Sequence, residues 1–241
     1  MMKKVIAISA GLLIVTCLFT ACGKADHSTI TVTGKSQISV PPDLLEIQLS
    51  AVTTAKTTDG AIAQNNEKIN KTIAKLKTMG LDKEHVLTQG YSLNPIWMPR
   101  PKNPSDNWQP SIIGYKVVSS LLVKTKKLEM AGKIIENAIK SGANKIDSVT
   151  FVLDDQDKYK NEAITKAIDS GKSYAETMAN VGDISLLKIK SMSLGGTYIT
   201  SNNTRSYANS FMKMDSVESA PQINPGKVKI EANVNIIYLT N

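Results

Sequence analysis

Histidine supplies much of the acid–base chemistry that proteins carry out near neutral pH, and this chain has only His27 and His85. His27 lies in a short polar stretch near the start, and His85 follows the end of a predicted helix. A Ser-His-Asp site would have to use one of them, but neither has a partner close by in the sequence. We therefore expect solvated or capping roles for both histidines and predict no catalytic residue.

Two short motifs imitate ligand sites. Asp154, Asp155 and Asp157 are spaced like the start of a calcium loop, but the glycine that its turn needs is absent. Carboxylates here favour the start of a helix instead. Gly171-Lys172-Ser173 resembles the end of a phosphate-binding loop, yet Lys166 occupies the position of the first glycine and the segment lies within a predicted helix. We expect no metal and no cofactor.

Both cysteines, Cys17 and Cys22, lie near the start of the chain. Lys3 and Lys4 precede an apolar run over residues 5–21, which is the layout of a secretory signal. The segment Leu18-Phe19-Thr20-Ala21-Cys22 resembles a bacterial lipobox. That resemblance implies cleavage between Ala21 and Cys22 and attachment of lipid, with acyl chains such as palmitate, to the Cys22 thiol. Two or three acyl chains at one cysteine would hold the protein firmly at a membrane.

Two other interpretations of this segment remain open. An ordinary signal peptide cut after Ala21 would leave Cys22 as a free thiol, and an uncut apolar segment would act as an anchor. Lipidation is favoured because a lone exposed thiol is a liability outside the cell. We expect a signal peptide over residues 1–21, a polar tether over 22–28, and a domain over 29–241 that cannot depend on disulfides.

The composition limits the possible partners. The chain carries 29 Lys and Arg against 21 Asp and Glu, a net charge of +8, and only 5% aromatic residues. The lysines are spread along predicted helix faces, as on ordinary solvated surfaces, and would suit anionic lipid headgroups or wall polymers. We find no pattern of stacking aromatic residues and expect no nucleic-acid partner.

Hydrophobic periodicity predicts an α+β fold. Alternation predicts strands over residues 30–40, 44–55, 85–97, 112–125, 145–153, 184–194 and 227–239. Helical spacing predicts three helices, giving the order β-β-α-β-β-α-β-α-β-β, with antiparallel or mixed sheets and helices packed on one face. The inner stripe of the third helix is predicted to comprise Tyr159, Ala163, Ala167, Tyr174, Ala175 and Met178. Residues 195–225 are predicted to form a long mobile loop.

A proline-rich segment between two predicted strands offers the best local candidate for contact with a partner. Trp97 and Trp108 flank it, and exposed tryptophans often anchor interfaces. The alternative is a stiff connector whose tryptophans cover a sheet edge. Met192, Met212 and Met214 lie in or near the predicted loop and could take up oxidants as sulfoxides.

An ordered set of segments resembles the SIMPL-domain family. The segments are ITVTGKSQISVPPDLLEIQLSAVTTAKT (30–57), AIAQNNEKINKTIAKLKTMGL (61–81), TQGYSLNPIW (88–97), IIGYKVVSSLLVK (112–124), SGANKIDSVTFVLDD (141–155) and INPGKVKIEANVNIIY (223–238). They include the Asn65-Asn66 pair of the first helix and depart from the family at Lys35-Ser36, where Gly or Ala is common. Each segment is weakly specific alone, but together they cover nearly all of residues 29–240 in the right order.

This resemblance implies an exported bacterial protein from a group that includes periplasmic oxidative-stress-defence proteins and an immunogenic surface antigen. A member of the group assembles into a hollow oligomer, and no catalytic residue comes with the family. Our hypothesis is a lipid-anchored, non-enzymatic envelope protein that acts by homo-oligomerisation or by binding an envelope protein or polymer. The alternatives are a lipoprotein that binds a small molecule or metal, and a hydrolase with a Ser–Lys site.

Overall fold

The computed structural model describes residues 28–105, 107–201 and 225–241. Within them the fold is α+β, as predicted, and the predicted order of elements is roughly that observed. The elements are β1 (Thr29–Val40), β2 (Leu44–Ala55), α1 (Thr58–Thr78), β3 (Val86–Trp97), β4 (Ile112–Thr125), a 3-10 turn (Leu128–Met130), α2 (Ala131–Ser141), β5 (Lys145–Val152), α3 (Gln156–Val181), β6 (Leu186–Ser201) and β7 (Val228–Thr240).

The strands form two antiparallel sheets. The first has the order β1-β7-β6, and the second has the order β3-β4-β2-β5. In the first sheet Val32 pairs with Ile236 and Leu194 with Val234. β1 passes into β2 through Pro41-Pro42, and because proline cannot continue a ladder, the chain leaves one sheet and enters the other there.

Side-chain caps fix where the two long helices begin. Thr57 Oγ1 accepts a hydrogen bond from the Gly60 N–H at 3.2 Å at the start of α1. Asp155 accepts one from the Lys158 N–H at 3.0 Å at the start of α3. Such caps satisfy amide donors that a helix start leaves without partners. The acidic run that begins at Asp154 therefore caps a helix, as predicted.

Each sheet buries one face under helices and has its own core. α1 and α2 cover the four-stranded sheet, whose core includes the fully buried Leu49, Leu121 and Ile134. α3 covers the three-stranded sheet, whose core includes Ile230 and Ile236. The core side chains are largely aliphatic, consistent with the few aromatic residues in the sequence.

The buried stripe of α3 matches the predicted one at its three alanines but not at its larger residues. It consists of small residues four apart: Ala163, Ala167, Gly171, Ala175 and Ala179. Tyr174 and Met178, predicted to face inward, are 54% and 51% exposed. The cause is close packing, since Gly34 of β1 lies against Gly171 and a Cβ built on Gly34 would come within 1.9 Å of the Ala167 carbonyl oxygen.

The third strand of this sheet is longer than predicted. β6 runs to Ser201, so residues 195–201, predicted to begin a long loop, continue the pairing with β7. Register shifts between Leu186 and Lys188, Ile189 and Ser191, and Leu194 and Gly196 break the alternation that the sequence prediction relied on. Residues 202–224, the rest of the predicted loop, lie outside the described residues, with Met212 and Met214.

Candidate functional site

Two long edge strands lie outside the cover of the helices. In the described parts of the chain, β3 pairs only with β4, and β6 pairs only with β7. Every residue of β3 is exposed except Val86 and Ile96, and every residue from Leu187 to Gly195 is exposed in β6. Since successive side chains point to opposite faces, both faces are open over most of β3 and over residues 187–195 of β6.

Large apolar side chains occupy both strands. Those on β3 and the adjoining ends of the β3–β4 hairpin are Leu87, Tyr91, Leu93, Trp97, Met98, Ile112 and Ile113, and those on β6 from residue 189 onward are Ile189, Met192, Leu194 and Tyr198. Their exposed fractions range from 39% for Leu93 to 58% for Tyr198. We call these two sets together the edge-strand surface. Single exposed apolar residues are common on proteins, but contiguous ones mark interaction sites.

Within the described residues, the edge-strand surface carries little of the charge that keeps sheet edges apart, although bulges interrupt both strands. Soluble proteins usually protect long edges with charged side chains, prolines or a covering segment. β3 has no charged residue, and Pro95 near its end is its one proline. β6 has lysines only at Lys188 and Lys190, and the stretch from Ser191 to Ser201 is uncharged. No other strand among the described residues pairs with the outer backbone donors and acceptors of these two edges.

The two tryptophans singled out from the sequence differ in exposure. Trp97 ends β3 and is 52% exposed, so it belongs to the edge-strand surface. Trp108 is half-buried in the following loop, with the Arg100 guanidinium 5.8 Å from its ring centroid. Such cation–π stacking holds the Trp108 ring against its own loop, as expected of a connector. For the exposed Trp97, contact with a partner stays a prediction.

Asn65 is a buried residue whose role the sequence did not reveal. Its Nδ2 donates to the carbonyl oxygen of Ala51 at 2.8 Å and to that of Val117 at 3.4 Å, and its Oδ1 accepts from the Ser119 hydroxyl. It thereby joins α1 to both β2 and β4. Of the Asn65-Asn66 pair, only the first is buried. The sequence did hold one sign of this role, because Asn65 is a polar residue that falls on the apolar stripe of the first helix.

A polar cluster on the other face of the four-stranded sheet bears on the hydrolase alternative. The Ser50 hydroxyl donates to Asp147 Oδ2 and accepts from the Ser120 hydroxyl at 2.8 Å. Lys145 pairs with Asp147, not with Ser50, and Ser50 is only 1% exposed. A nucleophilic serine needs access to substrate and an adjacent base. The Ser50 hydroxyl is buried and its hydrogen bonds go to Asp147 and Ser120, so the cluster does not resemble a Ser–Lys site.

A cleft of about 380 Å³ lies between the start of β2, the end of β4 and the segments that precede β3 and α3, and it is lined by charged groups. Lys124 pairs with Glu46, and Lys126 pairs with Asp154, whose hydrogen bond and charge raise the pKa of Lys126. His85 lines the cleft as well and shares a hydrogen bond with Asp82 at 2.8 Å, which lowers the pKa of that carboxyl. In residues 28–105, 107–201 and 225–241, no group of three or more His, Cys, Asp and Glu is arranged to hold a metal ion.

The proposed lipid-attachment residue Cys22 and the adjoining Ala21 lie outside the described residues, as does His27. None of the helices in the described part of the chain combines the length and apolar character needed to cross a bilayer.

Comparison with known proteins agrees with the ordered segments found in the sequence. The profile of the SIMPL family, described as "Protein of unknown function (DUF541)", matches residues 30–238. The matched range begins in β1 and ends in β7, so it takes in both sheets and the whole edge-strand surface.

Two groups of relatives are similar to this chain. The 26 kDa periplasmic immunogenic protein of Brucella melitensis biotype 1 is 29% identical over 164 residues, which cover 68% of this chain and 65% of that protein. The uncharacterized protein YggE of Escherichia coli strain K12 is 24% identical over 177 residues, which cover 73% of this chain and 70% of that protein. The chain thus spans slightly less than two thirds of the length of the Brucella protein.

Proposed function

This chain belongs to the SIMPL family, and we propose that it is an exported, lipid-anchored, non-enzymatic envelope protein that acts by self-assembly through the edge-strand surface. The signal-like segment before the domain supports export, as does similarity to a protein named periplasmic. A role in oxidative-stress or envelope defence is a further part of this proposal.

The observation that carries the proposal is that both edges are long, uncharged over most of their length and apolar. β3 has 12 residues and β6 has 16, so each could pair over several tens of ångströms. A second copy of the chain offers strands of matching character. Because the two edges differ, pairing of β3 with the β6 of the next copy would be head-to-tail and would close into a ring if the rotation allows.

Mixing two edge variants tests this arrangement. Leu93→Lys places a charge on β3, and Leu194→Lys places one on β6. In head-to-tail pairing each variant alone has lost one of its two edges and stays a monomer. An equimolar mixture recovers one intact junction and forms a dimer, seen by light scattering after gel filtration.

The control is Tyr174→Lys on α3, which replaces a side chain as exposed as Leu194, 54% in both cases. It should leave assembly unchanged. Dimers of each edge variant alone would indicate that like edges pair with like. A wild-type chain that is monomeric at every concentration would refute self-assembly.

The lipid anchor has its own test. The mature protein should carry acyl chains on Cys22, and Cys22→Ser should abolish both the lipid mass and retention in the membrane fraction. An unmodified Cys22 thiol in the mature protein would contradict the anchor. It would leave the edge-strand proposal standing, because the two rest on different residues.

A second candidate function, binding of a small apolar molecule, is favoured by an open groove of about 380 Å³ between β1 and α3. Its lining residues are Thr31, Val32, Thr33, Tyr174, Thr177 and Met178. Binding of an apolar dye that Tyr174→Lys abolishes, with assembly absent, would favour this candidate over self-assembly.

A further inference from the structure

Four exposed apolar side chains lie at the end of the domain that receives the N-terminal tether. We define the tether-end patch as Met178 and Val181 of α3, Ile184 of the following turn and Leu187 of β6. Their exposed fractions are 51%, 83%, 37% and 52%. Val181 is the most exposed of the large hydrophobic side chains in the described part of the chain.

Hydrogen bonds fix this patch beside the point where the tether enters. The Thr240 N–H donates to the Ser28 carbonyl oxygen at 2.9 Å, so the entering chain lies against the end of β7. The Ser185 N–H donates to Asn241 Oδ1 at 2.9 Å, which ties the turn after α3 to the same place. The Ile184 N–H donates to the Ala179 carbonyl oxygen at 2.9 Å and closes that turn on the helix.

The tether is too short to let this end move far from a membrane. Six residues, 23–28, separate Cys22 from β1, and at full extension they span about 20 Å. The sheet is about twice as long, because β7 has 13 residues and a strand rises ~3.3 Å per residue. An anchor at Cys22 therefore holds the tether-end patch, and not the opposite end, next to the bilayer.

We infer that the tether-end patch docks in the bilayer interface and fixes the orientation of the domain on the membrane. This inference rests on the proposed anchor but not on self-assembly, since it uses different residues from the edge-strand surface. Aliphatic and thioether side chains on a helix end and turn suit shallow insertion among lipid headgroups.

The charges around the tether-end patch indicate which interaction drives its docking. Asp183 lies in the turn, Glu176 lies on α3, and Lys188 and Lys190 follow on β6, so acids and bases nearly balance. Attraction to anionic lipid would then add little. Docking should occur on vesicles of phosphatidylcholine alone, driven by the apolar side chains.

The test uses the full lipid-anchored chain in phosphatidylcholine vesicles with one introduced thiol. Because Cys17 leaves with the signal and Cys22 is acylated, Val181→Cys can be labelled alone with a fluorophore. The matched label is Thr200→Cys, an exposed residue near the opposite end of β6. Nitroxide on the lipid chains should quench the label at 181 at least about twofold more, since docked side chains lie ~5–10 Å into the interface.

A second substitution separates docking from folding and from assembly. Leu187→Asp should abolish the extra quenching at position 181, whereas Leu194→Asp, at an equally exposed residue of the same strand, should leave it intact. Equal quenching at 181 and 200 in vesicle-bound protein would overturn the docking alone. Failure of the protein to float with the vesicles would overturn the anchor and, with it, this inference.

Discussion

Substitution of Gly34 by alanine should be severely destabilising, although it adds a single methyl group. The new Cβ would lie 1.9 Å from the Ala167 carbonyl oxygen and 2.6 Å from the Gly171 backbone nitrogen. Carbon and oxygen normally stay ~3.3 Å apart, so α3 would have to retreat by ~1.4 Å. Both obstructing atoms are backbone, so no side-chain rotation relieves the clash. We expect a loss of about 3 kcal/mol or more.

Urea denaturation at one fixed protein concentration measures this effect, and two other glycines calibrate it. A Cβ on Gly171 would meet the movable Cδ1 of Ile236 at 2.9 Å and the backbone of Gly34 only at 3.3 Å, so Gly171→Ala should cost only about 1 kcal/mol. A Cβ on Gly90 would find its nearest neighbour, Ser120 Cβ, at 4.0 Å, so Gly90→Ala should stay within about 0.5 kcal/mol of wild type. Close packing at Gly34 would be contradicted if Gly34→Ala unfolded at the same urea midpoint as wild type, or if Gly90→Ala lost as much stability as Gly34→Ala.

Two further predictions concern buried polar groups. Asn65→Ala should lower the free energy of unfolding by about 2 kcal/mol, because the buried Ser119 hydroxyl loses its acceptor. The exposed Asn66→Ala is the control, and equal urea midpoints for the two would contradict the role of Asn65. Burial of Tyr238, with the nearby charge of Glu176, raises the pKa of its hydroxyl. The neutral form is thus favoured on folding, and its contribution to stability is complete below pH about 10 and lost above it. Above pH about 10, the Tm of wild type should therefore fall more steeply with pH than the Tm of Tyr238→Phe. Parallel plots of Tm against pH would contradict this role of Tyr238.

The sequence predicted the elements of this fold better than their packing. Alternation in β2 and β7 reports burial correctly because each lies in the interior of its sheet, with one face on a core. The same alternation in β3 does not show that both faces are open. The exposure of β3 depends on which strands α1 covers in the folded protein, and the local sequence of β3 does not contain that information.

The inner face of α3 was predicted only in part, for a physical reason: its predicted alanines are buried, but Tyr174 and Met178 are exposed. Large apolar residues usually mark the buried stripe of a helix, and Tyr174 and Met178 fitted that pattern. At this interface the backbones approach so closely at Gly34 and Gly171 that only small side chains fit. Large residues are thereby displaced to the surface, where Met178 contributes to the tether-end patch.

The candidate site was only partly predictable. Trp97 was recognised from its residue type and its place beside a proline-rich segment, and it does lie on the edge-strand surface. The apolar residues of β6 could not be recognised as exposed, because bulges such as that between Leu194 and Gly196 interrupt their alternation. Asn65 looked like an ordinary helix residue, since its partners lie on two strands that only folding brings together.

The measurement that most directly tests the central claim is the solution mass of residues 23–241, by light scattering after gel filtration over a wide range of concentration. Self-assembly through the edge-strand surface predicts a discrete mass that is an integer multiple of one chain. It also predicts the single-chain mass for a variant that combines Leu93→Lys with Leu194→Lys. A single-chain mass for the wild-type domain at the highest concentration would contradict the claim, as would an unchanged multimer in the double variant.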